Sequence, residues 1–117
     1  MISDIHSISV ERLDTLFRNG DTLVLLDVRR HEERARCSIP APSTCYDIHI
    51  PMHKISALFD ELFARGGRCP VIVYCHHGVR SRVVATWLVG LGLSPVYNLE
   101  GGIDAWSVCV DPEVRRY

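Results

Sequence analysis

Residues 71–92 read VIVYCHHGVRSRVVATWLVGLG. The run Val71–Cys75 is apolar without alternation, the pattern of a strand buried on both faces. Farther on, Val83, Val84, Trp87, Leu88 and Leu91 recur at helical spacing, and Gly92 and Pro95 stop the run. The reading is therefore strand, short glycine-containing loop, then a helix beginning near Ser81. Cys75 falls where the strand gives way to the loop. In open sheets of parallel strands, ligands bind beyond the carboxyl ends of the strands, so a thiol here stands where a site belongs.

The rest of the chain repeats the alternation. Val10, Leu13, Leu16 and Phe17 share one helical face, with Ser9 as N-cap and Asn19-Gly20 as stop. Ile55, Leu58, Phe59, Leu62 and Phe63 form another stripe, with Pro51 near its start and Gly66-Gly67 after its end. Thr22–Val28 and Pro95–Leu99 read as strands, and Ile5–Ser9 adds an edge. Helices alternating with buried strands predict an α/β fold around a mostly parallel sheet. No internal repeat or linker divides the 117 residues, which are expected to form a single domain over 1–117.

Cysteine reacts as the thiolate. Three features of the loop are expected to stabilise one. Its N–H groups can turn inward, with Gly78 taking a left-handed conformation. The following helix presents the positive end of its dipole. Arg80 and Arg82 add charge, as would a protonated His76 or His77. A cysteine phosphatase or arsenate reductase needs a loop wide enough for a tetrahedral oxyanion, closed by an arginine six positions after the cysteine. Here Ser81 holds that position and the arginine comes one place early, at Arg80. The narrower bowl suits one additional sulfur on Cys75.

Four segments in order resemble the rhodanese family of sulfurtransferases: LLDVRRHEE (25–33), HIPM (49–52), CHHGVRS (75–81) and NLEGGIDAWS (98–107). The resemblance implies a five-stranded parallel sheet with helices on both faces. It implies that Cys75 is the sulfur-accepting nucleophile, and that His76, His77, Gly78, Val79, Arg80 and Ser81 line the persulfide pocket mainly through their main chain. Asp27 and Arg29 are implied as structural support, an ion pair tying loops together. Gly101, Gly102 and Trp106 are implied as turn and packing positions. Donors such as thiosulfate and acceptors such as cyanide, glutathione or a thioredoxin-like protein are the implied partners, with no cofactor. A non-catalytic sulfur-carrier or binding module is the alternative. His76 stands where many catalytic relatives carry arginine, which predicts weaker attraction for doubly charged thiosulfate. CSIPAP (37–42) replaces a glycine-rich run, and the longer stretch to Pro51 is expected to bring Cys45 and Tyr46 to the mouth of the site.

Composition excludes several other functions. The net charge is −1, which offers no nucleic-acid or anionic-membrane surface, and no apolar run is long enough to span a bilayer. The start MISDIH has no basic stretch ahead of an apolar core, so a cytoplasmic location and five free cysteines are expected. Cys37, Cys45, His49 and His53 are separated by seven, three and three residues. Pro51 breaks the helix that would align the histidines, so no metal site is expected. Cys37 or Cys45 could instead resolve an oxidised Cys75. The segment DPEVRRY (111–117) reads as an exposed tail without a function.

Overall fold

The apolar runs pair side by side as five parallel strands in the computed structural model, which describes residues 5–66 and 69–117. The strands are β1 (His6–Ile8), β2 (Val24–Asp27), β3 (Tyr46–His49), β4 (Val71–Tyr74) and β5 (Val96–Leu99). Their spatial order is β1-β5-β4-β2-β3, which puts β4 at the centre. Asp27 is in register with Tyr74 on one side and His49 on the other, so these strands finish at one common edge.

Helices cover both faces: α1 (Val10–Arg18), α2 (His31–Arg36), α3 (Phe59–Gly66), α4 (Val79–Gly90) and α5 (Gly102–Cys109). The pleat divides each strand between two cores. Val24, Leu26, Val71 and Val73 pack with Leu62, Val84 and Leu88 of α3 and α4. Leu25, Ile72 and Tyr74 pack with Leu13, Ile103 and Trp106 of α1 and α5. Both faces of the central strands are thus dry, which is why those strands carry no alternation in sequence. Ser9 caps α1 by accepting a hydrogen bond from the Arg12 amide at 3.0 Å.

Several boundaries differ from the sequence reading. Helix α4 begins at Val79, two residues before Ser81. Its buried face is Ser81, Val84, Ala85 and Leu88. Val83, Trp87 and Leu91 of the expected stripe are exposed. A short 3₁₀ turn (Met52–Lys54) precedes the stripe from Ile55, which begins in further turns and becomes helical only in α3, whose last residue is Gly66. The side chain of Phe63, residue Gly67 and the first four residues lie outside the described residues. Strand β3 and helices α2 and α5 were not anticipated from pattern. β3 is an exposed edge held by pairing with β2, and α2 (HEERAR) has no apolar stripe.

The segment after α5 is not a free tail. Val114 is buried, and Tyr117 is partly buried against the second core. No described helix is long and apolar enough to cross a membrane.

Candidate active site

Cys75 follows β4 directly and is 1% exposed. The chain then turns sharply at Gly78, whose φ of +98° would strain any residue with a side chain. Gly78 is the N-cap of α4. A helix leaves its first N–H groups without partners inside the helix. Here the cysteine sulfur takes two donors from this end. The Gly78 amide lies 3.2 Å from Sγ and the Ser81 amide 3.4 Å. Cys75 therefore occupies the acceptor role that a capping side chain usually fills.

Side chains behind the sulfur extend this arrangement. The thiol donates to Ser81 Oγ at 3.3 Å, and Ser81 Oγ donates to Asn98 Oδ1 at 2.5 Å. Asn98 Nδ2 donates to the Gly78 carbonyl at 3.1 Å. One buried asparagine from β5 thus fixes both the turn and the serine. When the thiol loses its proton, the Ser81 hydroxyl is within reach to donate to the sulfur instead. Asn98 carried no expected role, yet a lone amide in the apolar run PVYNL was a visible signal.

The loop is also held from below. Ile103 and Asp104 at the start of α5 donate their amides to the carbonyls of Cys75 (2.9 Å) and His76 (3.1 Å). Gly102 makes this approach possible. A Cβ there would lie 2.4 Å from the carbonyl oxygens of both Cys75 and His76, and its φ is +61°.

Around this core lies an ionic rim. Asp27 and Arg29 form a wholly buried two-pronged pair, Nε to Oδ1 at 2.9 Å and Nη2 to Oδ2 at 2.8 Å. Burial alone would raise the Asp27 pKa, but the hydrogen bonds and charge of Arg29 bring it below its usual value. Arg29 also donates to the Cys37 carbonyl at 2.7 Å and to the Tyr117 hydroxyl at 3.0 Å. Arg80 grips Glu33 through Nη1–Oε1 at 2.6 Å and Nη2–Oε2 at 2.8 Å. The Tyr117 hydroxyl donates to Glu33 Oε2 at 2.7 Å. Hydrogen bonds from Arg80 hold the Glu33 carboxyl far below its usual pKa. Glu33 and Tyr117 were not expected at the site.

Other sequence expectations change here. Arg80 does not offer a free charge to the sulfur, because Glu33 compensates it; it braces the loop to α2. Arg82 faces Glu100 at 3.8 Å on the surface. His76 is held towards its neutral form, chiefly by burial and then by neighbouring His77, so it is not an added cation. Its ring stacks between His77 and Tyr117, with centroids 3.9 Å away on each side. His77 is exposed, with Nδ1 3.9 Å from Asp104 Oδ2. The Val79 side chain faces solvent. Cys45 and Tyr46 do not border the mouth. They sit at the amino-terminal end of β3, where Tyr46 is in register with Val24 and Cys45 bonds the Asp21 carbonyl at 3.6 Å. That is the opposite end of the sheet from Cys75, because parallel strands share one polarity. Cys45 is therefore not placed to resolve Cys75. Cys37 follows α2, with its sulfur 3.9 Å from Arg29 Nη1.

Comparison with known proteins identifies the family and the fold. The model of the rhodanese-like domain matches residues 9–109. The chain is 31% identical over 115 residues to a protein named thiosulfate sulfurtransferase GlpE from Ectopseudomonas mendocina, covering 98% of this chain and 96% of the relative. It is 27% identical over 96 residues to a protein of the same name from Pseudoalteromonas translucida, covering 82% and 84%. Among solved structures, a rhodanese-like domain protein from Staphylococcus aureus superposes with a TM-score of 0.74 at 28% identity, covering 97% of this chain and 99% of that one.

Proposed function

The chain belongs to the rhodanese-like domain family, and we propose that it is a sulfurtransferase with Cys75 as the sulfur carrier. The observation that carries this reading is the pair of main-chain donors, from Gly78 and Ser81, converging on Cys75 Sγ at the start of α4. Such donors stabilise the thiolate before transfer and, at the same helix start, the anionic outer sulfur of the persulfide after it.

The reaction runs in two exchanges. The Cys75 thiolate attacks the outer sulfur of thiosulfate. The Sγ–S bond forms, the S–S bond of the donor breaks, and its electron pair leaves on sulfite. Cys75 then carries a persulfide, whose outer sulfur lies in the bowl lined by the main chain of residues 76–81. A thiolate acceptor such as glutathione or a thioredoxin-like protein, or cyanide in the assay, attacks that outer sulfur. The Sγ–S bond breaks and the thiolate returns. Electrons balance within the two exchanges, and ping-pong kinetics are expected. With Arg80 paired to Glu33 and His76 held neutral, thiosulfate meets mostly main-chain dipoles. A singly charged thiol persulfide is therefore the better donor.

Intact-mass spectrometry after incubation with thiosulfate or glutathione persulfide tests this. The expected result is a gain of one sulfur, lost on adding cyanide and absent from Cys75→Ala. No gain from either donor would defeat the enzymatic reading and leave a binding module.

A further inference from the structure

We infer that Tyr117 is a positioning residue of the active-site loop, acting through His76 and through the Glu33–Arg80 brace; the functional part of this inference rests on the sulfurtransferase reading. Three contacts lead to it. The Tyr117 ring lies parallel to the His76 ring, 8° between planes and 3.9 Å between centroids. Its hydroxyl donates to Glu33 Oε2 at 2.7 Å and accepts from Arg29 Nη1 at 3.0 Å. Glu33 in turn holds Arg80, which belongs to the loop. One side chain thus touches the loop directly at the residue after the nucleophile and indirectly five residues beyond it.

The segment carrying Tyr117 is anchored on both sides of the loop. Val114 is buried in the core under α1 and α5. Arg116 makes two hydrogen bonds to Asp104, at 2.8 and 3.2 Å. Asp104 is the residue whose amide holds the His76 carbonyl. Tyr117, His76, Arg80 and Glu33 also line one surface cleft beside the loop. The strap therefore builds a wall of that cleft.

The stack has a chemical consequence. His76 Nε2 is buried and has no hydrogen-bond partner, so protonating it would leave a charge poorly solvated. The groups around His76 are His77 beside it, Asp104 on α5, Glu33 on α2 with Arg80 paired to it, and Tyr117 itself. Burial and His77 outweigh Asp104, a hydrogen bond with the Tyr117 main chain and Glu33, and keep the ring neutral. Removing the Tyr117 ring opens His76 to water.

Tyr117→Leu and Tyr117→Phe separate the contributions of ring and hydroxyl. NMR titration of the His76 imidazole, the rate of Cys75 alkylation by iodoacetamide across pH, and the rate of sulfur loading are measured for each. Tyr117→Leu is expected to move the His76 midpoint up towards a free histidine and to slow loading about tenfold, the scale of one aromatic stack. Tyr117→Phe keeps the stack, so the His76 midpoint stays and loading falls only about twofold to threefold. A Tyr117→Leu protein with the wild-type midpoint and pH profile overturns the inference. So does equal behaviour of the two variants. A wild type that takes sulfur from no donor defeats the sulfurtransferase reading alone, because the titration and the alkylation profile need no donor.

Discussion

The loop and the rim around Cys75 are built by different means. The loop, residues 75–81, is held by main chain: two amides on the sulfur, two amides of α5 on its carbonyls, and glycines at 78 and 102 that let backbones approach. Its side chains contribute little charge, since Arg80 is compensated and His76 is neutral. The rim is the reverse. Asp27, Arg29, Glu33, Arg80 and Tyr117 meet mainly through charged and hydroxyl side chains, and Glu33 is 47 residues from Arg80 and 84 from Tyr117. The comparison teaches that sulfur chemistry and its mechanical support are separable. Backbone geometry serves the first and paired charges the second.

Substitutions can sharpen that division or break it. The largest effect is expected from Asp27→Ala, which leaves Arg29 buried and uncompensated. The loss is about 3–5 kcal/mol, read as a lower urea midpoint with unchanged m-value. The division fails if this variant is fully stable but inactive. Gly102→Ala comes next. Its methyl would collide with the Cys75 and His76 carbonyls, and a loss of about 3 kcal/mol is expected. Unlike Asp27→Ala, it should also slow Cys75 alkylation in whatever fraction stays folded. An unchanged alkylation rate would mean that α5 does not set the loop.

Glu33→Gln is the mildest of the three, about 1–3 kcal/mol at neutral pH, because Arg80 is partly exposed to solvent. Its pH dependence is the sharper test. The Glu33 carboxyl is held below its usual value of 4.5. The folded protein therefore keeps it ionised where the unfolded chain takes up a proton. The stability it contributes is full above that value and is lost as pH falls towards the folded value. The gap in unfolding free energy between wild type and Glu33→Gln should shrink steadily as pH falls from about 5 to about 3. A gap that stays constant across that range would show that the ion pair is not its source.

Much of this molecule was legible without coordinates. Short non-alternating apolar runs bounded by turn residues read as strands with both faces covered, and the strand–Cys–glycine–helix order of residues 71–92 puts the thiol at the carboxyl edge of such a sheet. Those are local patterns, and local patterns survive in sequence. β3 and α2 were hidden because they lack an apolar face of their own. The first exists by pairing with β2. The second carries Glu33 to Arg80.

The sequence by itself determined the alternation of elements, the place of Cys75 and the turn at Gly78. Only the tertiary structure decided that Arg80 is spent on Glu33, that Cys45 lies at the far end of the sheet, and that Tyr117 packs on His76. The physical reason is range. Backbone conformation and hydrophobic period act over a few neighbouring residues, whereas an ion pair or a ring stack depends on which distant segments the folded chain brings within about 4 Å.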